Sequence, residues 1–364
     1  MYKRLSDLQG QLNDIRNLKN VRGKSIGWTF DQIPYTVKEG CTTYIGAAPA
    51  SGKTEIWFEF LINLSCIHGW KHVIFSPETG NAAEIYAELC YKYIGKPYTI
   101  GENSMTQGEQ VAAEMFVNDH FIVIDPIDKD LTLEEFYELV DTISRKEEID
   151  IHTTTIDPWN ELTEKFEPAD LGREDKYLSR ILGLARKNAR KTKRHNCIIN
   201  HVRDQAPITQ NGHTFYPMPT ARDFAGGQVW FRKGLTVLIP WRPPTGLTDS
   251  QGNVYEENEV HLKVAKSKPK GVSKNGTYKL FLDVEKYQYY IKDFADNKIY
   301  ANRSKHEPKP ISNSFPTTTK VQLQNKPDIV NGKELLSFSE RMKQGAFKEL
   351  EPRINKDGNP EMPF

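Results

Sequence analysis

The sequence predicts an α/β protein built on a mostly parallel sheet that helices cover on both faces. Three observations predict this fold class. Between residues 41 and 239, apolar runs that suit buried strands alternate with segments of helical periodicity, a pattern typical of βαβ units. One apolar run, 42–45, is followed by a loop of small residues and a helical segment at 55–62. Residues 259–292 alternate apolar and polar side chains, which indicates antiparallel strands.

The individual elements follow from the same patterns in chain order. Buried strands are expected at 42–45, 72–76, 121–125, 152–156, 197–201 and 235–239. Helices are expected at 55–62, 82–93, 133–144 and 175–192. Near the N-terminus, apolar residues recur at three- and four-residue steps, at Leu5, Leu8, Leu12, Ile15 and Leu18. This spacing predicts a short amphipathic helix whose narrow stripe must dock on this core or on a neighbouring subunit.

Composition bounds the class of protein. The 364 residues carry a formal net charge of +1, so no global basic field recruits nucleic acid and any such binding needs local patches. The densest basic run, 186–194, is interpreted as a solvated helix C-terminus, where cations suit the helix dipole. The four cysteines form no C-x-x-C pair and are expected to be reduced, buried thiols. No signal peptide or membrane span is apparent, so we expect a cytoplasmic protein.

Three segments divide the chain. Residues 1–24 are expected to be an N-terminal linker helix, and residues 25–300 to be the catalytic domain. Residues 301–364 are expected to be a disordered polar tail, because seven of the 21 prolines lie between Pro308 and Pro363 among Lys, Asn, Ser and Thr. One apolar island in this tail, 334–342, is interpreted either as a segment that folds on a partner or as a nascent helix without a role.

Chemistry is expected at the loop after the first core strand, Gly46-Ala47-Ala48-Pro49-Ala50-Ser51-Gly52-Lys53-Thr54. Its small residues let the backbone curl so that several N–H groups point inward, and the following helix N-terminus adds to an anion site. A strand, such a loop and a helix in this order are the context of a phosphate-binding loop. Lys53 is expected to reach the β- and γ-phosphates and Thr54 to bind Mg²⁺. Ala47 departs from the strict pattern, which has glycine there.

A nucleotide site of this kind needs a carboxylate at the end of a neighbouring strand to hold Mg²⁺. Asp125 and Asp157 are the two candidates, because each closes an apolar strand and precedes a proline. We prefer Asp157, which leaves room for an intervening strand and helix and is followed by Trp-Asn-Glu. Asp125 is then interpreted as a residue of a strand-end turn.

Hydrolysis also needs a group that orients or deprotonates water. Pro158 directly follows Asp157, so this base must come from elsewhere. Glu78 closes the second strand, which is expected beside the phosphate loop, and is the first candidate; Glu161 is the alternative. His201 ends the strand after the Asp157 strand, where a neutral imidazole can donate a hydrogen bond to the γ-phosphate and relay its presence.

Four motifs in order carry a family resemblance: Gly-Ala-Ala-Pro-Ala-Ser-Gly-Lys-Thr, Phe-Ser-Pro-Glu-Thr, Ile-Asp-Pro-Trp-Asn-Glu-Leu and Ile-Asn-His-Val-Arg-Asp. Together they look like the RecA-like motor domain of ring-shaped replicative helicases, the DnaB-like proteins and the helicase half of phage primase-helicases. The likeness covers about residues 25–292. It implies a RecA-like P-loop NTPase core, ATP and Mg²⁺ as cofactors, and a homo-hexameric ring on single-stranded DNA in a bacterial or phage-infected cell. It also implies that Glu78 is catalytic and that His201 is the sensor.

Basic residues of this family reach into the neighbouring subunit's nucleotide site through a K-x-R pattern late in the core. The resemblance implies this role for Lys266 and Lys268, with lysine in place of the usual arginine at the second position. Lysine cannot grip a phosphate bidentately as arginine does. The resemblance further implies that Arg242 stacks on the adenine base and that Phe281 covers its other face.

DNA-contacting loops line the hole of the ring in this family, and here they correspond to about residues 161–177 and 203–228. The second loop ends in Thr220-Ala221-Arg222-Asp223-Phe224-Ala225-Gly226-Gly227-Gln228, similar to the family's Asp-x-x-Gly stretch. Arginine supplies charge, and glycine lets the backbone approach phosphates. The resulting DNA-binding candidates are Arg203, Arg222, Gly226 and Gly227.

Three functions remain open at this point. The first is an ATP-driven replicative DNA helicase. The second is a RecA-like strand-exchange or clamp ATPase that binds DNA without unwinding it, and the third is a non-motor loader or regulator ATPase. A primase or another replication protein is the expected partner of the C-terminal tail.

Overall fold

The computed structural model describes residues 2–17, 22–126, 130–210, 212–249, 251–268 and 271–303, together with 329–330 and 333–334. The strands are β1 (Lys24–Ser25), β2 (Thr36–Val37), β3 (Thr42–Ala47), β4 (His72–Phe75), β5 (Phe121–Val123), β6 (Thr153–Ile156), β7 (His195–His201), β8 (Ile208–Gln210), β9 (His213–Phe215), β10 (Thr236–Trp241), β11 (Glu259–Ser267), β12 (Gly276–Asp283), β13 (Gln288–Lys292), β14 (Lys298–Tyr300), β15 (Ile329–Val330) and β16 (Lys333–Glu334). The helices are α1 (Gln9–Arg16), α2 (Lys53–His68), α3 (Ala82–Ile94), α4 (Gln107–His120), α5 (Leu133–Lys146), α6 (Glu174–Thr192) and α7 (Val229–Lys233).

The chain separates into two compact units, residues 1–312 and 313–364. In the second unit the described residues form an antiparallel pair of short strands, β15 with β16. The first unit holds a ten-stranded sheet in the order β14-β13-β12-β11-β10-β3-β7-β6-β4-β5. Strands from β10 to β5 pair in parallel and strands from β10 to β14 pair antiparallel. The predicted fold class, a mostly parallel sheet with C-terminal antiparallel strands, is therefore confirmed.

Helices bury apolar side chains against both faces of this sheet. α2, α3 and α4 cover one face, and the long helix α2 is buried on nearly all sides, with Trp57, Phe60 and Leu64 fully buried. α5, α6 and α7 cover the other face, where α6 turns only one side inward. The four cysteines are buried and unpaired. None of the described helices is long and apolar enough to cross a membrane.

The strand order corrects one expectation about the site. β4, which precedes Glu78, does not lie beside β3, because β7 and β6 come between them. The carboxyl ends of all four parallel strands nevertheless meet at one edge of the sheet, and this edge is where ligands bind in open α/β folds. Glu78 follows β4, which is two strands away from β7, and therefore lies at the same edge of the sheet.

Several elements were not predicted, among them α4 and the hairpin of β8 and β9. α4 has no strong apolar stripe, and its signal is a capping box in which Thr106 and Glu109 hydrogen-bond to each other's backbone N–H groups. The predicted loop 203–228 contains the hairpin of β8 and β9. Short polar strands of this kind carry too few residues for an alternation pattern.

The C-terminal end of the first unit extends beyond the expected boundary at residue 300. The backbone N–H of Asn302 donates to Gly27 O at 2.8 Å. The Arg303 guanidinium forms an ion pair with the buried Glu59 at 2.8 Å and donates to Asn63 Oδ1 at 2.6 Å. Residues 301–303 therefore belong to the folded unit. The predicted disorder of the tail and most of its island 334–342 lie outside the described residues.

The N-terminal segment consists of a 3-10 turn over Leu5–Leu8 followed by α1. Its apolar residues are not buried: Leu5 is 66% exposed, Leu12 38% and Ile15 57%. Leu18 lies outside the described residues. No residue of the turn or of α1 is buried, so the described part of the apolar stripe does not pack in the core of this unit.

Candidate nucleotide site

β3 is entirely buried and delivers the predicted phosphate loop to the edge of the sheet. Gly52 has φ 79° and is the N-cap residue of α2, in a left-handed conformation that glycine adopts without strain. No side chain caps α2 at this end. The first N–H groups of the helix are therefore available to an anion. Within the loop, Ser51 Oγ donates to Ala48 O at 2.7 Å and fixes the turn.

The two small residues at the start of the loop, Gly46 and Ala47, are small for different structural reasons. A Cβ added at Gly46 would lie 2.1 Å from the ring of Phe224, so only glycine fits there. Ala47 is the last residue of β3 and pairs in register with His201. It is not among the residues with positive φ. The departure from the strict glycine pattern at Ala47 therefore imposes no backbone strain.

Thr54 and Asp157 meet beneath the loop. Thr54 Oγ1 donates to Asp157 Oδ2 at 2.5 Å, and the Asp157 side chain is almost fully buried. Burial raises the pKa of this carboxyl to about 6. Its other oxygen, Oδ1, has no hydrogen-bond partner among the described residues. A buried, unpaired carboxylate oxygen beside a threonine hydroxyl fits a divalent cation that also binds phosphate.

Asp125 lies elsewhere. Its exposed carboxylate accepts a hydrogen bond from the backbone N–H of Ala82, the first residue of α3, at 2.9 Å. The strand before it, β5, is the edge strand of the sheet. Asp125 therefore stabilises the N-terminus of α3, which agrees with its interpretation as a strand-end residue.

Glu78 and His201 are brought together across the end of β6. His201 Nε2 lies 3.1 Å from Glu78 Oε2, and about half of the Glu78 side chain is exposed. Glu161, the alternative base, is an exposed residue at the end of a 3-10 turn, and its carboxylate accepts from Asn160 at 3.4 Å. The structure thus joins Glu78, and not Glu161, to the expected sensor.

The four DNA-binding candidates gather beside the end of β7. Arg203 donates from its backbone N–H to Asp223 O at 2.7 Å, and from Nη2 to Arg222 O at 3.1 Å. Gly226 and Gly227 have φ of 78° and 80°. A Cβ at Gly226 would lie 2.3 Å from Leu178 Cδ1, whereas a Cβ at Gly227 would meet open space.

Arg242 lies close to the phosphate loop, together with a residue that sequence reasoning missed. A Cβ at Gly52 would be 3.1 Å from the Tyr289 hydroxyl and 3.5 Å from Arg242 Nη2. Tyr289 is fully buried on β13. No local motif marks Tyr289, and only the sheet order, which brings β13 over α2, places it there.

Two predicted site residues make contacts other than those their expected roles need. Phe281 pairs across the sheet with Tyr290, while Tyr289 pairs with Leu282. Because side chains alternate along a strand, Phe281 lies on the opposite face from Tyr289, and it is 2% exposed against Tyr290. It is therefore not placed to cover a base near the loop.

Lys266 is the second of these residues. Its ammonium donates to the carbonyl of Phe231 and, at 3.3 Å, to that of Arg232, at the end of α7. The residue is 9% exposed. Lys266 thus caps α7 in its own chain. Lys268 is exposed, and its backbone N–H donates to Leu235 O at 2.8 Å.

A buried ion pair fixes α2 against α3 just beyond the loop. Lys92 is fully buried, and its Nζ lies 2.7 Å from Glu55 Oε2. The same ammonium donates to Tyr287 O at 3.1 Å. Burial, with the Glu55 charge, raises the pKa of neighbouring Glu88 to about 8. These contacts join α2, α3 and the turn before β13.

The sheet order, with a loop of small residues between β3 and α2 at its carboxyl edge, defines an α/β domain of RecA-like fold. No protein-family model and no curated protein matches the sequence. Among solved structures, the chain is similar to the ATPase domain of G40P, with a TM-score of 0.61 and 16% identity over 79% of this chain and 99% of that chain. It is also similar to a DnaB-like replicative helicase studied with its primase, with a TM-score of 0.61 and 18% identity over 79% of this chain and 68% of that chain. At these identities the likeness establishes the fold.

Proposed function

We propose that this chain is an ATP-dependent DNA helicase motor that translocates on single-stranded DNA as a ring. The observation that carries the proposal is the contact between Glu78 and His201. His201 O accepts from the N–H of Ala225 at 2.9 Å, and the next residues, Val202 and Arg203, bond to the same returning segment. A continuous set of contacts therefore runs from the expected catalytic carboxylate to the expected DNA-binding segment.

The nucleotide half of the proposal uses the loop and the carboxylates below it. The N–H groups at the start of α2 and the ammonium of Lys53 would hold the phosphates of ATP. Thr54 and Asp157 would hold Mg²⁺, which supplies charge stabilisation for phosphoryl transfer when bound. Glu78 would orient the attacking water.

The DNA half uses the segment after β7. Arg203 and Arg222 would contact backbone phosphates, and Gly226 and Gly227 would let the main chain approach them. The partner of Glu78 in this structure is His201, which also sits at the base of this segment. Loss of the γ-phosphate would change the surroundings of His201 and, through it, the segment.

Two peripheral roles complete the nucleotide site. Arg242 would contact the base or the phosphate edge, supported by the nearby Tyr289. Lys268, which is exposed, would be the cation that reaches a neighbouring subunit's site. A primase or another replication protein is proposed as the partner of the C-terminal tail.

Ring assembly is proposed from the N-terminal segment. Exposed leucines and isoleucines on a short helix are costly in water, at ~1.5–3 kcal/mol for each side chain left unburied. A neighbouring subunit in a closed head-to-tail ring would cover them. Deleting residues 2–17 should convert a ring, expected to be hexameric, to monomers and small oligomers in light scattering with ATP and Mg²⁺. An unchanged mass would show that the stripe has another partner.

A forked-duplex strand-displacement assay, run beside ATP hydrolysis with and without single-stranded DNA, tests the function. A helicase displaces the strand only with hydrolysable ATP and shows DNA-stimulated hydrolysis. DNA-stimulated hydrolysis without displacement would instead favour the clamp or strand-exchange ATPase. Hydrolysis that DNA does not affect would favour the loader or regulator, and a Lys53→Ala variant is the control for contaminating activity.

A further inference from the structure

Positive charge is concentrated in one stretch of a nearly neutral chain. Residues 176–203 contain nine lysines and arginines and no aspartate or glutamate, although the whole chain has a net charge of +1. Two of these cations form ion pairs with aspartates. Arg180 forms an ion pair with Asp170 at 2.9 Å, and Arg194 pairs with Asp141. Others in the stretch have no acidic partner among the described residues.

Four of the cations without an ion pair share one face of α6. Helix α6 buries Tyr177, Leu178, Ile181, Leu182, Ala185 and Ala189 against the sheet. From residue 176 to the end of the helix, four residues are exposed, and all four are cations: Arg186, Lys187, Arg190 and Lys191. The four-residue spacing places Arg186 over Arg190 and Lys187 over Lys191, in two adjacent rows along the helix.

The helix dipole does not account for this face. Its attraction for cations falls off within the last turn of a helix, and α6 ends at Thr192. Arg190 and Lys191 lie in that turn, but Arg186 and Lys187 lie before it. Like charges four residues apart repel each other, so the two rows cost stability unless an anion binds there.

The chemistry of the face favours a phosphate backbone over a protein surface. The cores of protein interfaces are enriched in aromatic anchors and depleted in lysine, and the exposed residues of this face include no apolar or aromatic side chain. Arginine also binds phosphate oxygens bidentately. A row of phosphates is therefore the partner that the four side chains fit.

The face is separate from the DNA-binding segment already proposed. α6 ends beside the start of β7, at His195, whereas the 203–228 segment follows the other end of that strand. We propose that Arg186, Lys187, Arg190 and Lys191 form a second nucleic-acid contact, which binds the phosphate backbone of DNA independently of the 203–228 segment. This contact goes beyond the proposed motor function, and DNA binding rather than ATP turnover tests it.

The test measures binding of labelled single-stranded and duplex oligonucleotides by fluorescence anisotropy over a salt series. Arg190→Gln/Lys191→Gln should weaken binding and lower the slope of log K against log salt, by about 0.7 per lost contact on a single strand or 0.9 on duplex. Arg186→Gln/Lys187→Gln should behave alike. The oligonucleotide that shows the larger change identifies the form of DNA bound.

A matched control lies at the end of α5. Arg145 and Lys146 are also an exposed Arg-Lys pair in a last helical turn, but Glu147 and Glu148 follow them. Arg145→Gln/Lys146→Gln makes the same charge change and should leave affinity and salt slope unaltered. Thermal unfolding midpoints of all three double variants should not fall below that of the parent chain, since none of the altered residues is buried.

Unaltered affinity and slope in both α6 variants, with the parent unfolding midpoint, would overturn the inference. So would an equal loss in the α5 control, because it would reflect net charge alone. If the α6 variants changed self-association in light scattering without DNA while DNA binding stayed constant, the face would instead bind an acidic protein surface. Arg222→Ala tests the other segment in parallel, so a failure there leaves the α6 result interpretable.

Discussion

At the scale of single residues, hydrogen bonding distinguishes the two carboxylates that the sequence offered as magnesium ligands. Asp125 and Asp157 both close strands and both precede proline. The sequence could not give the strand order, and in that order β6 lies closer to β3 than β5 does. Asp157 therefore meets Thr54, while Asp125 bonds to the first residue of α3.

Asp157→Asn should reduce Mg²⁺-dependent ATP hydrolysis by about a hundredfold or more, because it removes the charge that would hold the metal. Asp125→Asn is the matched control, with the same atoms changed at a helix terminus. It should retain hydrolysis and lose at most about 1 kcal/mol of stability. Hydrolysis at several Mg²⁺ concentrations decides between them, and the reverse order of effects would reassign the metal site.

Glu78→Gln should leave ATP binding nearly unchanged and cut turnover by about a hundredfold. The amide keeps the size of the side chain and its contact distance to His201 but cannot act as a base. Glu161→Gln, in the exposed turn after Pro158, should turn over ATP like the parent chain. Fluorescent-nucleotide binding and single-turnover hydrolysis separate the two quantities. A defect in Glu161→Gln alone would show that Glu161, and not Glu78, is the catalytic carboxylate.

At the scale of elements, the end of α7 shows that two lysines of one sequence motif have different surroundings in the fold. Lys266 lies on β11 and Lys268 directly follows that strand, two residues on, so spacing alone treats them as one motif. In the fold, Lys266 donates to the last carbonyls of α7, while Lys268 is exposed. α7 has only five residues, and such a short helix needs a cap more than a long one does.

Lys266→Met should lower stability by about 1–3 kcal/mol, because the α7 carbonyls lose a charged donor. Lys268→Met should leave the unfolding free energy unchanged and, if the chain forms a ring, reduce hydrolysis only in the assembled state. Urea denaturation and hydrolysis measured across protein concentration distinguish the two. Equal stability of both variants would show that the Lys266 cap is energetically unimportant.

The segment that ends at Arg303 belongs to the same scale. A chain that ends at Arg303 keeps the buried ion pair with Glu59 and should unfold like the full-length protein. A chain that ends at Asn302 leaves the buried Glu59 carboxylate without its cation and should be about 3–5 kcal/mol less stable. Denaturation of the two truncations, which differ by one residue, measures this pair. Identical denaturation curves would show that the Arg303–Glu59 pair adds no stability, and would favour the domain boundary at residue 300 that the sequence predicts.

At the scale of the whole molecule, the sequence predicted the sheet class and the phosphate loop because both depend on local patterns. The Thr42–Thr54 stretch carries its strand, turn and helix signals in consecutive residues. The position of Tyr289 near Gly52 depends on strand order and register, and so does the sheet face on which Phe281 lies. No local sequence pattern determines either of them. α4 was missed because its helix signal lies in the cap at Thr106 rather than in an apolar stripe.

Steady-state ATP hydrolysis by the full chain, with and without single-stranded DNA, tests the central claim most directly when the parent is compared with Lys53→Ala. Lys53 is buried, and its positive charge offsets part of the rise that burial gives to the pKa of Asp157. The account predicts DNA-stimulated hydrolysis in the parent and its loss, by about a hundredfold or more, in Lys53→Ala. Near-parental hydrolysis in a folded Lys53→Ala chain would contradict the assignment of this loop as the nucleotide site.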